Sequence, residues 1–336
     1  GAPSRRMARG YRLGRNDHSG GPSPPHRAAR LSAVAVLGPT ASGKSDRALA
    51  LAGDVAGEIV SVDSMQVYRG MDLGTAKPAR ATRVQIPQHM IDLADPAEAS
   101  AGAPDPHAGR AGLAGSEERS VPIVIAGGSG LHFRALVDPM TFPPTDDTLR
   151  AELEAMSHED LVTELIGHDP DAGGHVDLAN PRRVLRTVAV VRLPGETPTA
   201  RAAKPEAEAL RSYAPRIPFV ALGVDPGDGL EARVTARFDA MLEAGLLDEV
   251  AALAPRLGRT ARQAVGYKEL LPVVAGERPL DVGRAAAIQA TLGLAKRQRT
   301  FFRRDPRIGW LTWDDDRDRL IVAARNALEE ADPWSS

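Results

Sequence analysis

The chain has 336 residues, 43% hydrophobic and 26% charged, with a formal net charge of −2. This suits a globular protein with one large domain or a core plus an insertion, and it excludes nucleic-acid binding by bulk charge alone. The lack of any cysteine excludes disulfides, thiolate metal sites and a cysteine nucleophile. No apolar run approaches the ~20 residues of a membrane span. A cytoplasmic protein with no membrane partner is the expectation, since cysteine-free chains fit a reducing compartment.

Residues 1–30 carry seven Arg and a single acid, Asp17, among Gly, Pro and Ser. They cannot build a core and read as a disordered basic extension, dispensable rather than a transit peptide. The apolar run Ala33–Leu37 then reads as a buried parallel strand. It leads into Gly38-Pro39-Thr40-Ala41-Ser42-Gly43-Lys44-Ser45, which fits G-x-x-x-x-G-K-[ST], and a helical pattern follows from Asp46 to Val55. Strand, glycine loop and helix form the setting in which backbone N–H groups and a helix N-terminus cradle a phosphate. Lys44 would bridge phosphate oxygens, and Ser45 would offer a hydroxyl to magnesium (Mg2+).

A second strand, Glu58–Val62, delivers Asp63 to its C-terminal end, beside the loop. In such a crevice the carboxylate serves either as a metal ligand or as a general base. Asp63 to Pro78 is polar, Gly-containing and irregular, a loop carrying functional groups. Residues 99–120 read as a flexible loop or weak helix. A third strand, Val121–Ala126, stops at Gly127-Gly128-Ser129-Gly130, where N–H groups and Ser129 can meet phosphate.

Two helical stretches follow, Asp147–Ile166 and Asn180–Arg192, the second with Arg182 and Arg186 at i and i+4 and with Arg183 beside them. Strand-like sequence resumes at Ile217–Val224, which makes the part between a helical insertion. Leu230–Leu253 reads as one amphipathic helix with Arg233 and Arg237 at i and i+4. The last long helix, Val282–Phe302, runs into Lys296, Arg297, Gln298, Arg299, Phe301, Phe302, Arg303 and Arg304. Basic groups interleaved with aromatics suit single-stranded or loop RNA, although Phe301 and Phe302 fit a packed helix end equally well.

Taken together, Gly38–Ser45, Asp63–Pro78, Pro122–Leu131 and Ala295–Arg304 resemble the tRNA dimethylallyltransferases over residues 31–313. The most specific piece is Asp63-Ser64-Met65-Gln66-Val67-Tyr68-Arg69-Gly70-Met71-Asp72 with Gly74-Thr75-Ala76-Lys77-Pro78. The resemblance implies an α/β fold with a P-loop-type parallel sheet flanked by helices. Residues 31–141 and 209–313 would form the catalytic core, 142–208 a tRNA-facing helical insertion, and 314–336 a C-terminal helix or tail. It implies transfer of a dimethylallyl group from dimethylallyl diphosphate to N6 of the adenine 3′ to the anticodon of tRNA, by a monomer. By resemblance the loop Gly38–Ser45 holds the diphosphate with Mg2+ near Ser45. Asp63 accepts the amine proton, Arg233 and Lys44 neutralise the leaving group, and Thr40 and Ser129 hold phosphate oxygens or the amine. Ser64, Met65 and Gln66 line the adenine. Arg182, Arg183, Arg186, Gln263, Gly266, Tyr267, Lys268, Lys296, Arg297, Gln298 and Arg303 meet the anticodon stem-loop.

Tyr267 has a core reading beside its RNA reading, and Arg182 with Arg186 can equally form a solvated face. The chain departs from the family pattern at Ala101–His107, where prolines break an expected amphipathic helix, and at His132, where a Tyr is usual. Rival readings are a P-loop small-molecule kinase, an enzyme prenylating free adenine nucleotides, and a non-catalytic RNA-binding relic. The kinase has no use for the Asp63–Pro78 loop, nor the nucleotide enzyme for the Arg182 and Lys296 clusters.

Overall fold

The computed structural model describes residues 33–98, 106–119, 121–143, 145–193 and 195–311, together with Val322. The expected extension at 1–30, the tail at 314–336 apart from Val322, and Ala101 to Pro104 lie outside the described residues. The core is a wholly parallel six-stranded sheet in the order β3-β2-β4-β1-β5-β6. Its strands are β1 (Ala33–Leu37), β2 (Glu58–Ser61), β3 (Gln88–His89), β4 (Ile123–Gly127), β5 (Phe219–Val224) and β6 (Ile308–Leu311). The expected P-loop-type α/β core is present.

Alternation along β1 shows why a continuous apolar run is needed. Ala33, Ala35 and Leu37 face a core shared with Ile125, Phe133 and Phe302. Val34 and Val36 face the other side, against Ala48, Leu51 and Ala52 of α1 (Lys44–Asp54). A strand covered on both faces has no polar side, so periodicity two gives way to unbroken hydrophobicity. Because every strand is parallel, the turns after β1, β2, β4 and β5 meet at one edge of the sheet, where ligands bind in open α/β sheets.

Beyond β2, α2 (Arg80–Gln85) precedes β3, and α3 (Pro106–Glu118) precedes β4. Of the two readings for this segment, loop or weak helix, residues 106–118 take the helical one. Pro106 is the first helical residue, where its missing N–H removes no bond. Gly109 and Gly112 let α3 lie close to Leu136 and His89. α4 (Gly130–Val137) follows β4.

Between α4 and β5 run α5 (Asp147–Glu154), α6 (His158–His168), α7 (Pro181–Arg192), α8 (Pro198–Ala202) and α9 (Pro205–Arg211). Asp147–Ile166 is therefore two helices. Ser157 caps the second, accepting from Asp160 N at 3.1 Å. Asn180 caps α7, with Pro181 in its first turn. Leu153, Leu161, Leu165, Val184 and Val188 form a core for these helices, apart from the sheet.

Leu230–Leu253 is also split, into α10 (Leu230–Glu243) and α11 (Leu246–Leu253), because Gly245 takes φ 101°, which continues no helix. α12 (Tyr267–Val274) and α13 (Leu280–Phe302) complete the chain's helices among the described residues. α13 has 23 residues and so spans about 35 Å. Phe302 is fully buried in the sheet core, an anchor of roughly 1.5–3 kcal/mol. It fixes the end of α13 beside the phosphate loop.

Candidate active site

The phosphate loop takes its shape from alternating backbone hands. Ala41 and Gly43 have φ of 59° and 71°, while Ser42 between them does not. Such alternation turns successive N–H groups to one side, making a concave anion site. Gly43 then caps α1, whose positive end points into the same hollow. Lys44 Nζ donates to Pro39 O at 3.2 Å, folded back over the loop. Burial pulls the Lys44 amine down to about 8, with the Asp63 carboxylate opposing that shift and the Arg237 cation adding to it. The amine thus lies over the hollow toward which the loop N–H groups turn.

Lys44, Ser45, Thr40, Asp63, Gln66, Arg237 and Gln298 line one cavity of roughly 140 Å³. Asp63 Oδ1 accepts from Met65 N at 2.8 Å, which fixes the carboxylate against the start of its own loop. Gln66 is oriented from two sides, its Oε1 accepting from Ser61 Oγ at 2.8 Å and its Nε2 donating to Thr75 O at 3.1 Å. Met65 lines the same wall, and Ser64 sits half-buried in the turn. Across the cavity, Val234, Phe238, Met241 and Leu294 give an apolar side.

Ser129 is tied to the tip of β2, since its N donates to Val62 O at 3.0 Å. Its hydroxyl lies 2.7 Å from His132 Nδ1 and caps α4. Burial pulls the His132 imidazole below its usual range, with the Asp63 charge opposing it.

The two arginines of α10 separate here. Arg233 Nε donates to Ala41 O at 3.2 Å, and its Nη2 to Pro226 O, so it braces the outside of the loop. Arg237 Nη2 donates to Thr40 Oγ1 at 2.6 Å, and the Arg237 side chain lines the cavity. Burial pulls its guanidinium down while the Asp63 charge works against that. Of the two, Arg237 lines the cavity, while Arg233, expected to neutralise the leaving group, is seen on the loop's backbone carbonyls. The i and i+4 spacing identified both, and only the packing of α10 against the loop separates them.

The expected RNA residues divide in the same way. Arg182, Arg183, Gln263, Lys268, Lys296 and Arg297 are exposed. Arg186 is half-buried and donates to Pro143 O at 2.8 Å. Arg303 and Arg299 both pair with Asp225, so part of the basic stretch is internally neutralised. Burial opposes it, yet the Gly227 N–H and these arginines hold the Asp225 carboxyl below the usual range.

Phe302 belongs to the core, and Trp310 lies under the Arg303 guanidinium at 5.2 Å. Tyr267 is a correction: it is fully buried and packs against Gly74, where no Cβ could fit. Gly266, also buried, starts α12 with φ 94°. The Tyr267 hydroxyl donates to Glu249, whose carboxylate also accepts from the backbone N–H groups of Asp72, Leu73 and Gly74. Burial and then the Glu249 charge push the phenol up. This clamp holds the loop whose Gly74 and Thr75 line the cavity. Gln298 turns inward to the phosphate loop, accepting from Thr40 N at 2.8 Å. No sequence signal distinguished it from its exposed neighbours.

Comparison with known proteins shows the family to which the chain belongs. A family model described as IPP transferase matches residues 66–305, and one described as isopentenyl transferase matches residues 31–90. A tRNA dimethylallyltransferase of Streptomyces avermitilis is 41% identical over 288 residues, covering 83% of this chain and 89% of the relative. One of a Nocardioides species is 39% identical over 307 residues, covering 88% and 97%. The crystal structure of a tRNA isopentenylpyrophosphate transferase from Bacillus halodurans superposes with a TM-score of 0.61 at 30% identity, covering 89% of this chain and 97% of that one. The chain belongs to the IPP transferase family, together with the tRNA dimethylallyltransferases.

Proposed function

We propose that the chain transfers a dimethylallyl group from dimethylallyl diphosphate to N6 of the adenine 3′ to the anticodon in tRNA, releasing pyrophosphate. The observation that carries this reading is the convergence of Asp63, Lys44, Arg237 and the phosphate loop on one cavity. The diphosphate sits in the hollow formed by Ala41 to Lys44, and the adenine is everted from the anticodon loop to reach it. N6 attacks the allylic carbon, the C–O bond to diphosphate breaks, and the proton on N6 passes to the Asp63 carboxylate. Charge developing on the departing diphosphate meets Lys44, Arg237 and the loop N–H groups.

The metal fits the donor set. Ser45 lines the cavity with a hydroxyl, and among the described residues no cluster of three His, Cys, Asp or Glu forms an all-protein metal cage. Magnesium prefers a hard oxygen ligand shared with substrate phosphates, so Ser45 would hold it with Asp63 close by. When bound it supplies further neutralisation of the diphosphate. Exposed Arg182, Arg183, Lys296 and Arg297 are the contacts we assign to tRNA phosphates, acting as a local rather than a global charge effect. We assign the enzyme to the cytoplasm as a monomer; among the described residues no helix is long and apolar enough to cross a membrane.

Incubating the chain with labelled dimethylallyl diphosphate and unmodified tRNA tests the proposal. Label in tRNA supports it. Label in free adenine nucleotide would point to nucleotide prenylation, and tRNA binding without transfer would overturn the enzymatic reading.

A further inference from the structure

Gln298 sits on α13 among exposed basic residues, yet its side chain leaves that surface. Its Oε1 accepts from Thr40 N at 2.8 Å, a contact that joins positions 258 residues apart. Because Thr40 N is a donor, the atom facing it must be the carbonyl oxygen, which settles which way the amide points. The Nε2 end then lies against the turn after β4. A Cβ on Gly128 would stand 2.5 Å from Gln298 Nε2 and 3.4 Å from Gly38 O. The amide is therefore wedged between the phosphate loop and the Gly127-Gly128 turn, and Gln298 lines the same cavity as Lys44 and Asp63.

This placement has a chemical consequence. Thr40 N is one of the loop's backbone donors, and Gln298 occupies it. Among the described residues Gln298 Nε2 has no hydrogen-bond partner, so two N–H groups remain to replace the one withdrawn. A neutral amide donates to phosphate oxygens without adding charge to a hollow already crowded by Lys44 and Arg237. Phe302, one turn on, is fully buried and holds this part of α13 in place.

We infer that Gln298 is a contact of the diphosphate rather than of tRNA, its carbonyl locked on Thr40 N and its Nε2 donating to an oxygen of the leaving group. The inference rests on the assignment of a diphosphate to the loop. Gln298→Glu keeps the size and the acceptor but replaces the donors with a second negative charge. Gln298→Met keeps the length and removes both polar ends.

The test measures binding of inorganic pyrophosphate to the full chain by calorimetry, then the KM for dimethylallyl diphosphate and for tRNA separately, with the melting temperature alongside. In both variants we expect pyrophosphate affinity to fall, and the KM for dimethylallyl diphosphate to rise, by about 10-fold or more, with the tRNA KM within about 2-fold. Gln298→Met supplies the answer if Gln298→Glu does not fold. A rise in the tRNA KM with pyrophosphate affinity unchanged overturns the inference, as does an equal rise in both KM values. If the wild-type chain binds pyrophosphate but labels no tRNA, the proposed function fails while the Gln298 contact is still tested by pyrophosphate alone.

Discussion

Replacing Arg237 with Met removes the guanidinium whose Nη2 lies 2.6 Å from Thr40 Oγ1. A diphosphate one hydrogen bond beyond that hydroxyl places its charge about 4 Å from the cation, where unit charges interact by about 4 kcal/mol at an effective permittivity of ~20. At about 1.4 kcal/mol per tenfold, complete loss of that term corresponds to roughly 1000-fold. Removing one preorganised donor from a developing anion typically costs about 100- to 1000-fold, which sets the expected fall in kcat/KM. Arg233→Met removes donors to two backbone carbonyls, Ala41 O and Pro226 O. At a net of about 1 kcal/mol per hydrogen bond, its effect should stay within about 30-fold. Methionine preserves most of the aliphatic stem in both variants, so the comparison isolates the head group. The assay is transfer of labelled dimethylallyl to tRNA at subsaturating diphosphate substrate, with melting temperatures to exclude unfolding. If Arg233→Met is as damaging as Arg237→Met, the assignment of the cavity cation is wrong.

Asp63→Ala should abolish prenylation while tRNA affinity, measured by filter binding, stays within a few-fold; retained turnover removes Asp63 from the role of base. With the Lys44 amine held down to about 8, its cation is present below that pH and lost above it. The kcat/KM for dimethylallyl diphosphate should therefore decline as pH rises through about 8, and Lys44→Arg should erase that limb of the pH profile whatever its effect on rate. A wild-type kcat/KM flat to pH 9.5 would show that the free-enzyme ammonium is not what titrates. Tyr267→Phe deletes the donor to Glu249 and should cost about 1–3 kcal/mol, since a partly buried carboxylate loses a partner. Calorimetry should show a lower melting temperature with the tRNA KM within about 2-fold; a 10-fold rise in that KM at unchanged stability would restore an RNA contact for this residue.

The strand, glycine loop and helix from Ala33 to Asp54, the delivery of Asp63 at the end of β2, and the glycine turn after β4 were legible in the chain itself. Each is a local pattern, because a strand buried on both faces must be apolar throughout, and glycine readily takes the positive φ that the phosphate loop needs at Gly43. Helix interruptions were less legible. Gly245 reads as tolerable within an amphipathic pattern until its φ of 101° ends α10, and Ser157 as an ordinary polar residue until it caps α6.

Which side chains of a motif reach the cavity was settled only in three dimensions. Arg233 and Arg237 carry the same charge one turn apart, and the contact of Arg237 with Thr40 spans 197 residues. Gln298 and Lys296 belong to one basic stretch, yet one faces the loop and the other solvent. Tyr267 joined the core because Gly74 and Glu249, far from each other in the chain, meet around its ring. Sequence periodicity records which residues are apolar and which are charged. The direction a charged side chain takes depends on where another element crosses it, and that crossing is a property of the packed fold.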